Sequence, residues 1–254
     1  MKKIAWFIWK SWFYILVLIV ILVLSPLLVI SLSTEKFYNF FFKLARLWAY
    51  CVFYGVGFRK KMITKQQFDP KQSYMLTANH TSMMDIMLML ILVKNPFVFV
   101  GKKELAKLPV FGFFYKRACI LVDRSSSVSR QRSMLAAAEK LASGLSVCIF
   151  PEGGVPNEDV VLDEFKDGAF RLAIDFQIPI APMTFVGLKQ AFPFRFFAGY
   201  PSTIHVFQHN FVNTIDCTQA DKTFLKQKTR ELILKPLLET DEHNTSLEGN
   251  IHIK

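Results

Sequence analysis

Histidine is nearly absent from the first two hundred residues of this 254-residue chain: His80 stands there alone. Cysteine is sparse and unpatterned. Cys51, Cys119, Cys148 and Cys217 lie far apart in apolar surroundings, with no CxxC pair and no metal-ligand spacing. That excludes a disulfide framework or a zinc module and reads as reduced core thiols in a cytosol-facing protein. No GxSxG elbow occurs anywhere, which counts against a serine hydrolase and leaves a lipid hydrolase the third reading. Internal repeats and low-complexity blocks are missing, and residues 11–30 carry no charge.

What is abundant is positive charge together with oil. Lys and Arg outnumber Asp and Glu by 31 to 20, the formal net charge is +11, and the mean hydropathy is +0.29. A basic, apolar chain suits an anionic membrane surface. Nucleic acid is not an expected partner, because the aromatics sit in hydrophobic segments and not among basic clusters. The length supports one substantial core, hence one catalytic domain with an appendage.

The uncharged run "SWFYILVLIVILVLSPLLVI" matches a hydrocarbon thickness of about 30 Å at 1.5 Å per residue. It reads as a membrane helix, being longer than a signal-peptide core and lacking a small-residue cleavage site; Pro26 is a tolerable kink. In the next segment, 37–58, Asn39, Lys43, Arg46 and Tyr50 recur at steps of four, three and four and draw one polar stripe down an aromatic helix. Such a helix either lies in the interface with its cations snorkelling or returns against the first as a hairpin. Lys2, Lys3 and Lys10 precede the pair, and Arg59, Lys60, Lys61 and Lys65 follow it. The positive-inside bias therefore puts both ends on the cytoplasmic side of the cytoplasmic membrane.

From Ser73 onward, short apolar runs alternate with helical stretches, the pattern of an α/β domain. Strands are expected near 73–78, 96–100, 118–122, 145–150, 178–186 and 203–207, and helices over 83–93, 128–143, 166–176 and 219–238. The expected organisation is a membrane-embedded two-helix element over 1–58, then an α/β domain over 59–240 with a mixed, mostly parallel sheet flanked by helices. A polar, loosely held tail covers 241–254.

His80 lies in "TANHTSMMD", five positions before Asp85. Five residues of helix turn through about 500°, so the two cannot share a face if both are helical. The histidine belongs to the loop leaving a strand, with Ser82 as cap, Met83 first in the helix and Asp85 third. The same letters also spell a capping box. The two readings are compatible, since a carboxylate placed there can also accept Nδ1–H and leave Nε2 as a general base. Ligands of open α/β sheets collect beyond the strands' carboxyl ends, where His80 falls. Without a resident nucleophile, the proton comes from a bound hydroxyl, which makes an acyl-transfer dyad.

Other strand ends converge on the same rim. "FPEGGVP", 150–156, projects Glu152 from a backbone that Gly153 lets approach a ligand. "VDR", 122–124, places Arg124 there, a residue suited to phosphate, and Lys166 stands before a helix whose first amides favour an anion. Lys102, following a strand, is positioned to stabilise an oxyanion or to face phospholipid. Each cation alone also reads as solvated surface charge. The methionines and leucines of 83–92 read as core.

Together "NHTSMMD", "GKKELAKLPVFGFFYKRACILVDR", "FPEGG" and "IPIAPMTF" resemble, in order, the four motif blocks of the glycerolipid acyltransferase family over roughly residues 50–235. The resemblance implies transfer of a fatty acyl group from acyl-CoA or acyl-carrier protein to a lysolipid hydroxyl, most directly that of 1-acyl-glycerol-3-phosphate. His80 would be the base and Asp85 its orienting partner, with membrane lipids as surroundings and with neither metal nor cofactor. Substrate contacts would come from Arg124, Glu152, Gly153, Lys166 and Lys102. The chain departs from the pattern where Gly154 and Val155 replace the Thr-Arg that usually follows FPEG. An acceptor with another head group is the alternative, as is a silent lipid-binding protein.

Overall fold

The computed structural model describes residues 2–31, 33–157 and 159–249, the last ten of these by backbone alone. The N-terminal element is a helical hairpin, α1 (Lys2–Ser31) and α2 (Tyr38–Gly55). It precedes β1 (Arg59–Thr64), β2 (Met75–Ala78), α3 (Met84–Leu92), β3 (Phe97–Lys102), α4 (Phe111–Ala118), β4 (Cys119–Val122), α5 (Ser127–Ala142), β5 (Ser146–Cys148), α6 (Gly168–Asp175), β6 (Ile180–Val186), α7 (Leu188–Ala191), β7 (Thr203–Gln208) and α8 (Lys222–Gly249).

The seven strands form one sheet in the order β1-β7-β6-β2-β5-β3-β4, parallel throughout except where β6 meets β7. The mixed, mostly parallel α/β architecture expected from the alternating pattern is therefore present. Central strands are buried on both faces, and β2, β5 and β6 are buried at every position. This is why they read as continuous apolar runs. The central β2 lies between β5 and β6, and its carboxyl end points into the same rim as those of β3, β4, β5 and β6. Behind it, α3 buries Met84, Met87, Leu88, Met89 and Leu90, so the methionine stretch is core.

α1 and α2 pack antiparallel. The indoles of Trp9 and Trp12 donate to the carbonyls of Val56 and Gly55 at 3.0 and 2.9 Å, and the Trp48 indole donates to Val17 O at 3.4 Å. Among the described residues, only α1 is long and apolar enough to cross a membrane. Of the two readings of α2, pairing is the one observed, and the second half of its polar stripe reaches protein: Arg46 Nε donates to Leu90 O at 2.9 Å and the Tyr50 hydroxyl to Ile91 O at 3.4 Å, satisfying carbonyls at the end of α3, while Asn39 and Lys43 are exposed. The tip of the hairpin returns to the α/β domain too, because Glu35 pairs with Arg117 and, at 3.5 Å, with Lys140. At the other end of α1, Trp6 Nε1 donates to Gly199 O at 3.0 Å and buried Lys10 donates to Pro193 O at 2.7 Å. Both ends of the hairpin thus rest on one domain, and α1 runs along it.

Several expectations change. Residues 59–64, seen as a basic flank, form β1, an edge strand with half-exposed alternation that tolerates lysine on its outer face. The stretch 111–118 forms α4. α3 starts one residue later than expected, at Met84, making Asp85 its second residue. Of the four thiols only Cys148 is a core residue; Cys51 is exposed and Cys119 and Cys217 are half-buried, all four unpaired. The backbone of α8 continues through Gly249, beyond the expected end at 238, so the expected tail is helical up to there and 250–254 lie outside the described residues.

Candidate active site

Two residues beyond β2, His80 Nδ1 lies 2.9 Å from Asp85 Oδ2. The same oxygen accepts the backbone N–H groups of Thr81 and Ser82 at 2.6 and 2.8 Å, and Asp85 is fully buried. Three donors converging on one buried carboxylate oxygen fix the aspartate and, through it, the imidazole. The cap differs from the expected one: Met83 takes the N-cap position of α3 without a side-chain cap hydrogen bond, while Ser82 Oγ accepts Met84 N–H at 3.2 Å and Asp85 receives Ser82 N–H. With Nδ1 engaged, Nε2 is the nitrogen left to act, on a side chain 14% exposed.

Glu152 braces the loop from the neighbouring strand. Its Oε1 accepts His80 N–H at 2.6 Å and its Oε2 accepts Asp163 N–H at 3.0 Å. The carboxyl is buried, and desolvation pushes its pKa up to about 7 against the hydrogen bonds that favour the anion. Glu152 therefore supports His80 from behind, where the sequence alone suggested a group projecting toward substrate. Gly153, at φ 76°, makes the turn after it; a Cβ there would lie 3.2 Å from Lys166 Cγ. Lys166 N–H donates to Pro151 O at 2.7 Å, which fastens the start of α6 to this turn. A Cβ on Gly154 would sit 3.5 Å from Arg124 Nη1. Arg124 and Lys166, both exposed, flank the glycine turn.

Lys102 ends β3, two strands from β2, with its side chain exposed and its carbonyl accepting the Tyr115 hydroxyl at 3.3 Å. Among the described residues no contact joins it to His80. Its neighbour Lys103 instead pairs with Asp123, holding that carboxyl below the usual range.

Sequence reasoning passed over three supports. Phe150 stacks on the His80 ring at 4.3 Å between centroids and 19° between planes. Asn79 clamps β6, accepting Phe185 N–H at 2.8 Å and donating to Phe185 O at 3.0 Å, so its amide is committed to the scaffold. On the other side of the histidine loop a cleft of about 450 Å³ is lined by Asn79, Thr81, Val161, Phe185, Pro193 and Leu237, among others. Thr81 Oγ1 is buried there without a partner. Asn79 and Phe150 open two of the quoted motifs, but nothing in their spacing signals a clamp or a ring stack.

The fold has a close counterpart. The crystal structure of the 1-acyl-sn-glycerophosphate (LPA) acyltransferase PlsC from Thermotoga maritima superposes with a TM-score of 0.79 over 95% of this chain and 98% of that one, at 21% identity. In sequence, the chain is 31% identical over 137 residues to the probable 1-acyl-sn-glycerol-3-phosphate acyltransferase of Mycoplasma pneumoniae, covering 50% of each. It is 30% identical over 143 residues to the human 1-acyl-sn-glycerol-3-phosphate acyltransferase alpha, covering 56% of this chain and 50% of that protein. The chain spans about half the length of these curated relatives. The Acyltransferase family model matches residues 59–186, the stretch from β1 to the end of β6. That span holds the His80–Asp85 pair, Glu152, the glycine turn and both flanking cations, and with it the chain belongs to the acyltransferase family.

Proposed function

We propose that this protein is a membrane-associated O-acyltransferase that moves a fatty acyl group from a thioester, acyl-CoA or acyl-carrier protein, to the free hydroxyl of a lysolipid. The favoured acceptor is 1-acyl-glycerol-3-phosphate, giving phosphatidate. The observation that carries the reading is the 2.9 Å contact between His80 Nδ1 and a buried Asp85 oxygen already holding two backbone amides. It sets the tautomer in which Nε2 is a base. Nε2 takes the hydroxyl proton as the lysolipid oxygen attacks the thioester carbonyl. When the tetrahedral intermediate collapses, the C–S bond breaks and the imidazolium returns the proton to the departing thiolate. An ester forms, a thioester is consumed, and no acyl group rests on the protein.

Arg124 and Lys166, beside the glycine turn, are suited to the acceptor's phosphate, and the amphiphilic cleft beside Asn79 and Thr81 to lipid. Lys102 is left the outer role of meeting anionic head groups. The names carried by the two sequence relatives support the same acceptor. Localisation follows from charge and packing: α1 embeds in the cytoplasmic membrane, with Lys2, Lys3 and the Arg59–Lys61 run at one end of the hairpin and the α/β domain on the cytoplasmic side.

The test is thiol release by protein in lipid vesicles supplied with an acyl thioester. Release that requires the lysolipid, with a matching rise in diacyl product, supports the proposal. Release without lysolipid indicates a hydrolase, and no release with any lysolipid indicates a silent lipid-binding protein. A second acceptor class is favoured by Gly154-Val155, which leave the turn without its usual arginine.

A further inference from the structure

Lys10 is a cation that an anchoring role for α1 leaves unexplained. Lys2 and Lys3, on the same helix, are exposed and suit the positive-inside bias, but Lys10 is only 2% exposed. A buried ammonium persists where polar atoms replace its lost water. Among the described residues no carboxylate pairs with it. Instead its Nζ donates to Pro193 O at 2.7 Å and stands 3.6 Å from the centre of the Phe192 ring, a cation–π contact strengthened by burial. Trp9 meets the same ring edge-on at 5.4 Å and Phe13 lies 4.7 Å from it. Three residues within one and a half turns of α1 thus close on one buried side chain that the α/β domain supplies.

The backbone of Phe192 leads from there to the candidate site. Its carbonyl accepts the Ser82 hydroxyl at 2.8 Å, with both residues buried. Ser82 N–H in turn donates to Asp85 Oδ2, the oxygen that holds His80 Nδ1. The acceptor is itself firmly placed. Phe192 N–H donates to Leu188 O at 2.9 Å, closing α7, and α7 follows β6, where Asn79 grips Phe185 on both backbone groups. The His80 loop therefore has three restraints: Asp85 within it, Glu152 from the glycine turn, and Phe192 O. Only the third leads to α1.

We propose that Lys10 is a positioning residue for His80. By fixing Phe192 and Pro193 it holds the acceptor of Ser82, and through Ser82 the His80–Asp85 pair, so that α1 is part of the scaffold of the site as well as its anchor. Its importance for turnover rests on His80 being the base of the proposed reaction. Without the ammonium, Pro193 O loses its donor and the Phe192 ring its cation, and Ser82 no longer meets a fixed acceptor.

The test compares native protein with Lys10→Met, Lys10→Arg and Lys3→Met, each as the full chain in phosphatidylglycerol–phosphatidylcholine vesicles, by two independent readouts. Diethyl pyrocarbonate acylates free imidazole nitrogens, and peptide mass spectrometry gives the rate at His80 relative to exposed His205. Lys10→Met should raise that ratio severalfold as the ring comes free of Asp85. It should also lower kcat for transfer from palmitoyl-CoA to 1-oleoyl-glycerol-3-phosphate by about tenfold or more, with KM nearly constant. Lys10→Arg, which keeps a cationic donor, should restore most of both. Lys3→Met, which removes the same charge from the same helix, should change neither. Native labelling of His80 in Lys10→Met, or equal effects from Lys3→Met, overturns the proposal. Faster labelling with kcat unchanged supports the positioning and overturns His80 as base. Where Lys10→Met does not fold, Ser82→Ala breaks the same chain of contacts inside the α/β domain, and unchanged labelling of His80 there overturns the proposal equally.

Discussion

Glu152 and His80, 72 positions apart, are joined by a 2.6 Å hydrogen bond from the histidine's backbone N–H to Oε1 of the glutamate. The other oxygen holds Asp163 N–H, so one buried carboxylate pins both the His80 loop and the far end of the glycine-turn loop.

The burial has a pH signature. Glu152 titrates near 4.5 when unfolded and about 7 when folded. Between those values the native state keeps a proton that the unfolded chain releases. Stability therefore falls as pH rises from 4.5 through 7, by on the order of 3 kcal/mol in total, and levels off above. Glu152→Gln removes this slope and loses one of two acceptors, a pH-independent cost of about 1 kcal/mol. Melting temperatures from pH 5 to 8 should show the variant gaining on the native protein; a constant gap would refute the buried titration.

His80→Ala should leave the melting temperature close to native, because the part-buried ring can go while Asp85 keeps the Thr81 and Ser82 amides, yet cut acyl transfer by about 10² to 10⁴. Asp85→Asn should behave differently. The amide nitrogen would have to sit either against three donors or, at the Oδ1 site, without a partner, costing about 1–3 kcal/mol. Both stability and turnover should then fall. Calorimetry beside initial-rate assays separates the two; equal melting losses would place His80 in the scaffold.

How far the sequence reached follows from what each signal measures. Buried β2, β5 and β6 announced themselves because both faces are apolar. β1 did not, since an edge strand reading RKKMIT has a polar outer face and no run to detect. The His80–Asp85 pair was legible because both partners lie within one loop and one helical turn, where chain geometry alone limits the options. The grip of Glu152 on His80 was not, nor was the anchoring of α1 through Lys10 and Trp6, because those contacts close over 72, 183 and 193 residues. The stripe Asn39–Lys43–Arg46–Tyr50 is legible as polar, but only the fold shows that Arg46 and Tyr50 satisfy the end of α3.

Gly199 makes that anchoring testable. Its φ of 108° and the 2.5 Å approach of a would-be Cβ to a backbone oxygen leave no room for alanine. Gly199→Ala should destabilise by about 1–3 kcal/mol. Because Gly199 O accepts the Trp6 indole, it should also raise amide exchange over residues 2–12 more than over 17–31. Uniform protection across α1 in the variant would show that the helix is held by its other contacts alone.

The glycine turn makes the proposed acceptor choice testable. Gly154 has ordinary space for a side chain, with Arg124 Nη1 at 3.5 Å from its missing Cβ, and Val155 is exposed. Neither site resists Gly154→Thr/Val155→Arg. A guanidinium at 155 would join Arg124 and Lys166 around one anion, adding a charge-assisted, bidentate contact to a phosphomonoester and little to a zwitterionic head group. Such a contact is worth about 1.4 kcal/mol at least, or roughly tenfold in relative kcat/KM. In competition assays the native chain should accept lysophosphatidate and zwitterionic lysolipids within a narrow range, whereas the double variant should shift toward lysophosphatidate. If the native chain already requires a phosphomonoester and the variant adds nothing, Arg124 and Lys166 alone bind it, and the valine carries no meaning for head-group choice.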